Sequence, residues 1–316
     1  MKKIVYVTGC LGFIGSHVTR ACLERGWHVR GVDKITYAAN KDFLDEFNKY
    51  ENFSFTQCDI NELEFLYDCD YVINTAAETH VGNSIVKSDD FVRSNIDGVH
   101  NLLELLRNYR QENNRIPVLF HFSTDEVYGD IPNGTHTEND MLKPSNPYSA
   151  TKAAADMLIL AWARTYDIPY VIIRPTNNYG IGQYVEKLIP KSIKYLNIGR
   201  QIPLHNNGEP IRNWLHANDT SNAVMTIIES GMKNDIFNIC GGLEKKNIEV
   251  VSSIIKEMFG DVDINSYIDF STKRPGVDVR YALDDSKLRN LGWKPEMNFE
   301  QEIKNIVNHY KGKFIW

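Results

Sequence analysis

Thr8-Gly9-Cys10-Leu11-Gly12-Phe13-Ile14-Gly15-Ser16-His17 stands directly after a short β-branched run, Ile4 to Thr8, and opens a helical pattern that continues to about Arg25. Three glycines, three residues apart, thus close a strand and start a helix. At such a junction Gly9 permits a tight turn, Gly12 lets the backbone approach a pyrophosphate, and Gly15 allows helix and strand to pack closely. The helix N-terminus then attracts the anion. Standing alone the triplet also reads as a packing turn, because its G-x-x-G-x-x-G spacing differs from the commoner G-x-G-x-x-G. The next strand, His28 to Asp33, narrows the choice: it ends in an acid 18 residues after Gly15. An acid there accepts hydrogen bonds from an adenosine ribose and repels a 2′-phosphate, which predicts NAD over NADP, with the neighbouring Lys34 softening the discrimination. Asp59 and Ile60, at the end of the third strand, are placed for the adenine edge, although an Asp after a strand also serves as a helix cap.

Outward from that loop, the first 175 residues alternate strand-like runs with longer helical patterns. The runs are Ile4 to Thr8, His28 to Asp33, Phe53 to Cys58, Tyr71 to Thr75, Val118 to Ser123 and Tyr170 to Ile173. This rhythm predicts an α/β fold, a Rossmann-type doubly wound parallel sheet. After Pro175 it loosens into loops, helices such as Asn247 to Phe259 and Glu300 to Tyr310, and brief strands such as Ile236 to Cys240. We read residues 1–175 as an NAD-binding domain and 176–316 as a smaller mixed α/β substrate lobe, interleaved with it along an approximate boundary.

The bulk properties agree with a globular chain. Of 316 residues, 42% are hydrophobic and 24% charged, which disfavours disorder, and the net charge of −6 with no basic block argues against a nucleic-acid partner. Nowhere do enough apolar residues run together to span a membrane. The five cysteines are scattered without metal-ligand spacing, which fits a cytoplasmic location and no metal.

Two further clusters carry chemistry. Pro147-Tyr148-Ser149-Ala150-Thr151-Lys152 opens a long helix, and Tyr148 and Lys152, four apart, share one face. Bringing a phenol from its ordinary pKa of about 10 to about 7 takes roughly 4 kcal/mol, which Lys152 and a cationic nicotinamide ring are suited to supply. The strand Val118 to Ser123 delivers Thr124-Asp125-Glu126 at its carboxyl end, where open α/β sheets bind ligands. Adjacent acids in a cleft can divide into a protonated general acid and an ionised base; in a solvated loop both would simply ionise.

Together, Thr8-Gly9-x-x-Gly12-Phe13-Ile14-Gly15 and Tyr148-x-x-x-Lys152 resemble the extended short-chain dehydrogenase/reductase superfamily. Asp33-Lys34-Ile35-Thr36-Tyr37-Ala38, Ala76-Ala77-Glu78-Thr79-His80-Val81, Ser123 to Gly129, Asn177-Asn178-Tyr179-Gly180, Glu186 to Pro190 and Arg274-Pro275-Gly276 resemble its nucleotide-sugar 4,6-dehydratases, over nearly the whole chain. The resemblance implies a lyase with tightly held NAD. It implies a substrate of UDP-glucose or dTDP-glucose and a place in rhamnose-type deoxysugar biosynthesis. Tyr148, assisted by Thr124, would take the C4 hydroxyl proton, Glu126 the C5 proton, and Asp125 would protonate the departing C6 hydroxyl. Phe13, Ile14, Thr36, Ala76, Ala77, Ser94, Asn178 and Lys152 join the glycines and acids as implied cofactor contacts. Thr79, Asn177, Lys187, Leu188, Pro203, His205, Arg212, Asn247 and Arg274 are the implied substrate contacts, with Arg212 and Arg274 suited to a diphosphate. His205 and Val277 depart from the bacterial dTDP-glucose pattern and tilt the reading slightly toward UDP-glucose. A homodimer through the helices Ser88 to Arg110 and Pro147 to Tyr166 is the expected assembly. Two rival readings remain: a 4-epimerase or reductase of the same superfamily, against which Asp125 and Glu126 speak, and a non-catalytic NAD-binding scaffold.

Overall fold

The computed structural model describes residues 2–113, 115–272 and 278–313. Its first half runs β1 (Ile4–Thr8), α1 (Phe13–Glu24), β2 (His28–Asp33), α2 (Lys41–Phe47), β3 (Phe53–Gln57), β4 (Tyr71–Asn74), α3 (Val81–Val86), α4 (Asp89–Val92), α5 (Gly98–Asn113), β5 (Val118–Phe122), α6 (Pro147–Tyr166) and β6 (Tyr170–Pro175). The second half adds β7 (Asn177–Tyr179), α7 (Leu188–Asn197), β8 (Ile202–Pro203), β9 (Ile211–His216), α8 (Ala217–Ser230), β10 (Asp235–Ile239), β11 (Leu243–Lys246), α9 (Asn247–Phe259), β12 (Ile268–Asp269), α10 (Ser286–Arg289) and α11 (Phe299–Tyr310).

Seven strands form one parallel sheet in the order β10-β6-β5-β4-β1-β2-β3. The order steps outward from β1 in both directions, which leaves a crevice at the carboxyl ends beside β1. Central strands are apolar on both faces because helices cover both. One face packs Val5, Val7, Ile73, Phe120 and Phe122 against α1 and α8, and the other packs Tyr6, Val72 and Leu119 against α5 and α6. Strand β3, at the edge, is partly exposed along its length.

The expected division at 175 is crossed by the chain. After Pro175 it returns to the first half: α8 packs on α1, and β10 extends the sheet beside β6 in parallel. The smaller lobe consists of the three strands β11-β9-β7, the pair β12-β8, and α7, α9 and α11 around an apolar core that includes Tyr179, Trp214, Ile254 and Phe299.

The helix expected over Ser88 to Arg110 is also more broken than its pattern implies. A π-helical turn, Arg93–Asp97, separates α4 from α5. The wider turn brings Ser94 to the cleft and buries Asn95, whose side chain ties to the Glu78 backbone N–H at 2.9 Å and the Thr151 hydroxyl at 2.9 Å. Helix α6 starts as its sequence dictates. Asn146 accepts from the Ser149 N–H, the Ser149 hydroxyl accepts from the Asn146 N–H, and Pro147 occupies the first turn.

Candidate active site

The glycine loop is built by close contact. Gly9 has φ +70, and a Cβ there would lie 2.7 Å from the Ala76 nitrogen; a Cβ on Gly15 would lie 2.0 Å from the Gly9 carbonyl oxygen. β1, α1 and the chain after β4 therefore meet at distances only glycine allows. Gly12 is different, since a Cβ there would meet only the Gly9 carbonyl oxygen, at 3.2 Å. Gly12 is also the N-cap of α1, with no side chain capping the helix and no acid in its first turn. An open helix N-terminus beside a glycine backbone suits a pyrophosphate, so the residues present fit a dinucleotide.

One cleft runs along the carboxyl ends of the strands. Gly9, Gly12, Phe13, Ile14 and Gly15 line it with Asp33, Lys34, Thr36, Asp59, Ile60, Ala76, Ala77, Ser94 and Asn178, so the expected cofactor residues other than Lys152 share one wall. Asp33 accepts from the Leu11 N–H at 3.0 Å and the Ile35 N–H at 2.8 Å, bracing the glycine loop on one side and the following segment on the other. Burial pushes its carboxyl above the usual range. Ile35, a β-branched residue, has φ +59, a conformation held by that hydrogen bond. Lys34 donates to the Ser94 hydroxyl at 3.0 Å and lies 3.6 Å from Asp59 and 3.9 Å from Glu78. Its charge is matched by nearby acids, which reduces its power to attract a 2′-phosphate. Asp59 accepts from the backbone and side chain of Asn61, closing a local turn and not the helix cap its position also suggested, since no helix begins there.

The reacting groups gather at the end of β5. Thr124 begins a 3-10 turn, Asp125–Tyr128. Its hydroxyl donates to Asp125 Oδ1 at 3.1 Å, receives the Glu126 N–H at 3.3 Å, and hydrogen-bonds the Tyr148 phenol. Asp125 is 3% exposed, and its second carboxyl oxygen has no hydrogen-bond partner. Burial first, then the neighbouring Glu126, push its pKa up to about 7, opposed by Thr124 and Arg212. Glu126 accepts from the Asn146 amide at 3.1 Å. One carboxyl of the pair is therefore poised to hold a proton at neutral pH beside a second that lacks the same burial. Tyr148 is pushed well above its ordinary value by burial, Glu126 and Asp125, with Thr124 pulling the other way. Lys152 lies one turn on, buried and outside the cleft wall, and donates to the Phe122 carbonyl at 2.5 Å. Burial lowers it to about 8, while Asp156 acts to raise it. Asp156 is itself held by Arg174 at 2.9 Å and Ser123 at 3.0 Å, which fastens α6 to the strands carrying the site.

The substrate residues divide. Thr79, Asn177 and Lys187 line the same cleft with Thr124, Asp125, Glu126 and Tyr148, and Lys187 bridges it by donating to the Thr79 carbonyl at 3.1 Å. Leu188 follows as the first residue of α7. Pro203, His205, Arg212 and Asn247 are not on the cleft walls. Pro203 pairs in β8 with β12, His205 starts a 3-10 turn, and Asn247 begins α9 with its N–H on the Pro210 carbonyl. Arg212 is folded back onto the Asp278 carbonyl, 3.2 Å away, and over the Tyr281 ring, while still acting on Asp125. Arg274 and Val277 lie outside the described residues.

Sequence reasoning missed several groups. Glu78, Gln183, Tyr184 and Glu186 also line the cleft. Tyr281, bonded to Asp278 and acted on by Glu126, sits close to the acid pair. The signal for Glu78 was available, since it follows a strand end in the quoted Ala76-Ala77-Glu78 motif; Tyr281 is brought in only by the tertiary fold.

The chain as a whole is similar to known proteins. The family model described as GDP-mannose 4,6 dehydratase matches residues 6–306. The dTDP-glucose 4,6-dehydratase of Haemophilus influenzae is 40% identical, covering 97% of this chain and 97% of its own. The low-salt glycan biosynthesis protein Agl12 of Haloferax volcanii is 38% identical over 98% of each chain. The crystal structure of DesIV, a dTDP-glucose 4,6-dehydratase from Streptomyces venezuelae with NAD bound, superposes with a TM-score of 0.89 at 33% identity, covering 97% of this chain and 96% of that one.

Proposed function

The chain belongs to the GDP-mannose 4,6 dehydratase family, the nucleotide-sugar 4,6-dehydratases of the extended short-chain dehydrogenase/reductase superfamily, and we propose that its own substrate is dTDP-glucose. It is an NAD-dependent lyase. The thymidine-linked substrate rests on the names of its relatives, and UDP-glucose is the second reading, favoured by His205 and Val277 in the sequence.

The observation that carries the assignment is the acid pair beside the phenol: Asp125 buried with a pKa pushed up to about 7, Glu126 next to it, and Tyr148 joined to the Asp125 carboxyl through Thr124. NAD, when bound, supplies a hydride acceptor for C4 and returns the hydride to C6. Tyr148 takes the C4 hydroxyl proton, its phenol oxygen held by the Thr124 hydroxyl. The resulting 4-ketone acidifies C5–H, which Glu126 removes while Asp125 protonates the C6 hydroxyl and water leaves. Glu126 then returns its proton to C5 as C6 is reduced. The proton left on Tyr148 equals the one Asp125 gave up, and Thr124, in contact with both, is the bridge by which the pair resets. An epimerase needs no such elimination, so the acid pair favours the lyase.

On this reading the cleft wall from Gly9 to Ser94, with Asn178, holds the dinucleotide, and Lys152 positions its ribose. Thr79, Asn177, Lys187 and Leu188 face the sugar nucleotide, with Pro203, His205, Arg212 and Asn247 on the side of the smaller lobe, within residues 176–316. A homodimer through α5 and α6 is supported by Met157, 49% exposed on α6. A cytoplasmic location is supported by five free cysteines and by the absence, among the described residues, of a helix able to cross a membrane.

The test is mass spectrometry after incubating purified protein with dTDP-glucose, and separately UDP-glucose, with catalytic NAD. Loss of one water without net NADH is expected, faster with dTDP-glucose. An unchanged mass with an epimerised sugar would overturn the lyase assignment.

A further inference from the structure

Lys152 is fully enclosed, and its polar surroundings are specific. Its Nζ donates to the Phe122 carbonyl at 2.5 Å and lies 3.4 Å from His121 Nε2. The other ring nitrogen of His121 lies 3.1 Å from the Asn74 amide, whose oxygen accepts from the Thr8 hydroxyl at 2.6 Å. His121, Asn74 and Thr8 are all within 1% of complete burial, and they cross three adjacent strands, β5, β4 and β1, below the glycine loop. The charged and titratable groups around Lys152 are few. Tyr148 and Asp156 flank it on α6, Arg174 of β6 neutralises Asp156, and Asp125 and Glu126 stand in the turn after β5, with Arg212 of the second lobe acting on Asp125.

The donors and acceptors of this chain cannot be arranged freely. Burial, then the charge of Lys152, keep His121 neutral, so its ring has one N–H and one lone pair. If Lys152 is an ammonium it can only donate; Nε2 must accept, and Nδ1–H must donate to the Asn74 oxygen, with the Asn74 NH2 turned toward Thr8. If Lys152 is neutral, the alternative holds: Nε2–H donates to Nζ, and the Asn74 NH2 donates to Nδ1 while its oxygen accepts from Thr8. The structure records Asn74 in the second orientation, its NH2 toward Nδ1 and its oxygen toward Thr8, and a half-turn of the side chain, which exchanges the two amide ends, gives the first. Each charge state of Lys152 thus has its own self-consistent direction of hydrogen bonds.

We propose that His121 is a positioning residue for the C4 proton transfer: its Nε2 lone pair, backed by Asn74 and Thr8, anchors Lys152 and keeps it an ammonium one helical turn from Tyr148. The inference rests on Tyr148 as the base. Without the acceptor, the buried ammonium loses a partner, Lys152 gives up its proton more readily, and the positive charge that favours the phenolate is diminished. Tyr148 then ionises at higher pH.

The test is made on the NAD-loaded protein, with two readouts: the pH dependence of the single-turnover rate of C4 oxidation, which does not use the Asp125 proton, and ultraviolet difference titration of the Tyr148 phenol against a Tyr148→Phe blank. His121→Leu is expected to move the acidic limb of that rate upward by about one pH unit, a loss of about tenfold below the limb that recovers above it, and to move the phenol titration equally. His121→Gln, whose amide oxygen can accept from Nζ, restores the original limb. Should the Leu variant fold poorly, His121→Met, which lacks a strong acceptor, carries the same expectation. A loss uniform across pH in the Leu or Met variant, or a Gln variant displaced as far as they are, would overturn the proposal. Retention of C4 oxidation by Tyr148→Phe would instead overturn the base assignment.

Discussion

Asp125→Asn separates the chemistry of the buried acid from its cost to the fold. In the native chain the carboxyl is 3% exposed and pushed from an ordinary 3.8 up to about 7. With a pKa of about 7, about nine-tenths of the molecules carry the proton at pH 6 and about one-tenth at pH 8. Elimination needs that proton, so turnover falls on the alkaline side with a limb near neutrality. Asn removes the proton donor and the limb together, with a loss of about 10² to 10⁴ in the elimination step, while C4 oxidation survives. Stability moves the other way. The folded chain holds this proton up to about pH 7 whereas the unfolded chain releases it near 3.8, so native stability falls as pH rises through that interval. The interval corresponds to a ceiling of about 4 kcal/mol. The Asn variant lacks this penalty. Its thermal midpoint relative to wild type should rise between about pH 5 and about pH 8. Rapid-quench mass spectrometry of the 4-keto sugar and calorimetry at the two pH values make the assay. Midpoints that run parallel across pH, or an alkaline limb that persists in the variant, would refute the reasoning.

Glu126→Gln should oxidise C4 yet fail to exchange C5–H with deuterated solvent; full exchange, followed by mass spectrometry, would remove Glu126 as the base. Gly15→Ala forces a Cβ to 2.0 Å from the Gly9 carbonyl oxygen, so NAD should be lost on gel filtration and the thermal midpoint should drop; retention of both would contradict the packing role. Arg174→Leu removes the ion-pair partner of the fully buried Asp156 carboxylate, and denaturant titration should show a loss of about 3–5 kcal/mol.

The parts of the site that sequence revealed are those in which chemistry and geometry share a short segment. The glycine loop, Thr124-Asp125-Glu126 and Tyr148 with Lys152 each lie within one strand-to-helix junction or one helix face, so spacing alone brings their members together. Strand ends were likewise legible to within one or two residues, because β-branched runs such as Ile4 to Thr8 stop where the chain turns to glycine. What sequence did not disclose is assembled at long range. β10 and α8 rejoin the first half from beyond residue 175, because their apolar faces complete a sheet and helix layer laid down much earlier. The Asp156–Arg174 pair, the Lys152–His121–Asn74 contacts and the approach of Tyr281 to the acid pair each join distant segments. The π-helical turn at Arg93–Asp97 was hidden because its residues also suit an α-helix, and the tertiary contacts of Asn95 decide otherwise.

The central claim is that one hydrogen travels within a single sugar, from C4 to C6, while water is lost between C5 and C6. It is tested most directly with dTDP-glucose carrying deuterium at C4, converted by the NAD-loaded protein and analysed by mass spectrometry with fragmentation. The expected product is lighter by one water and retains the label at C6. Label returned to C4 with no loss of water, or washed out into solvent, would contradict it.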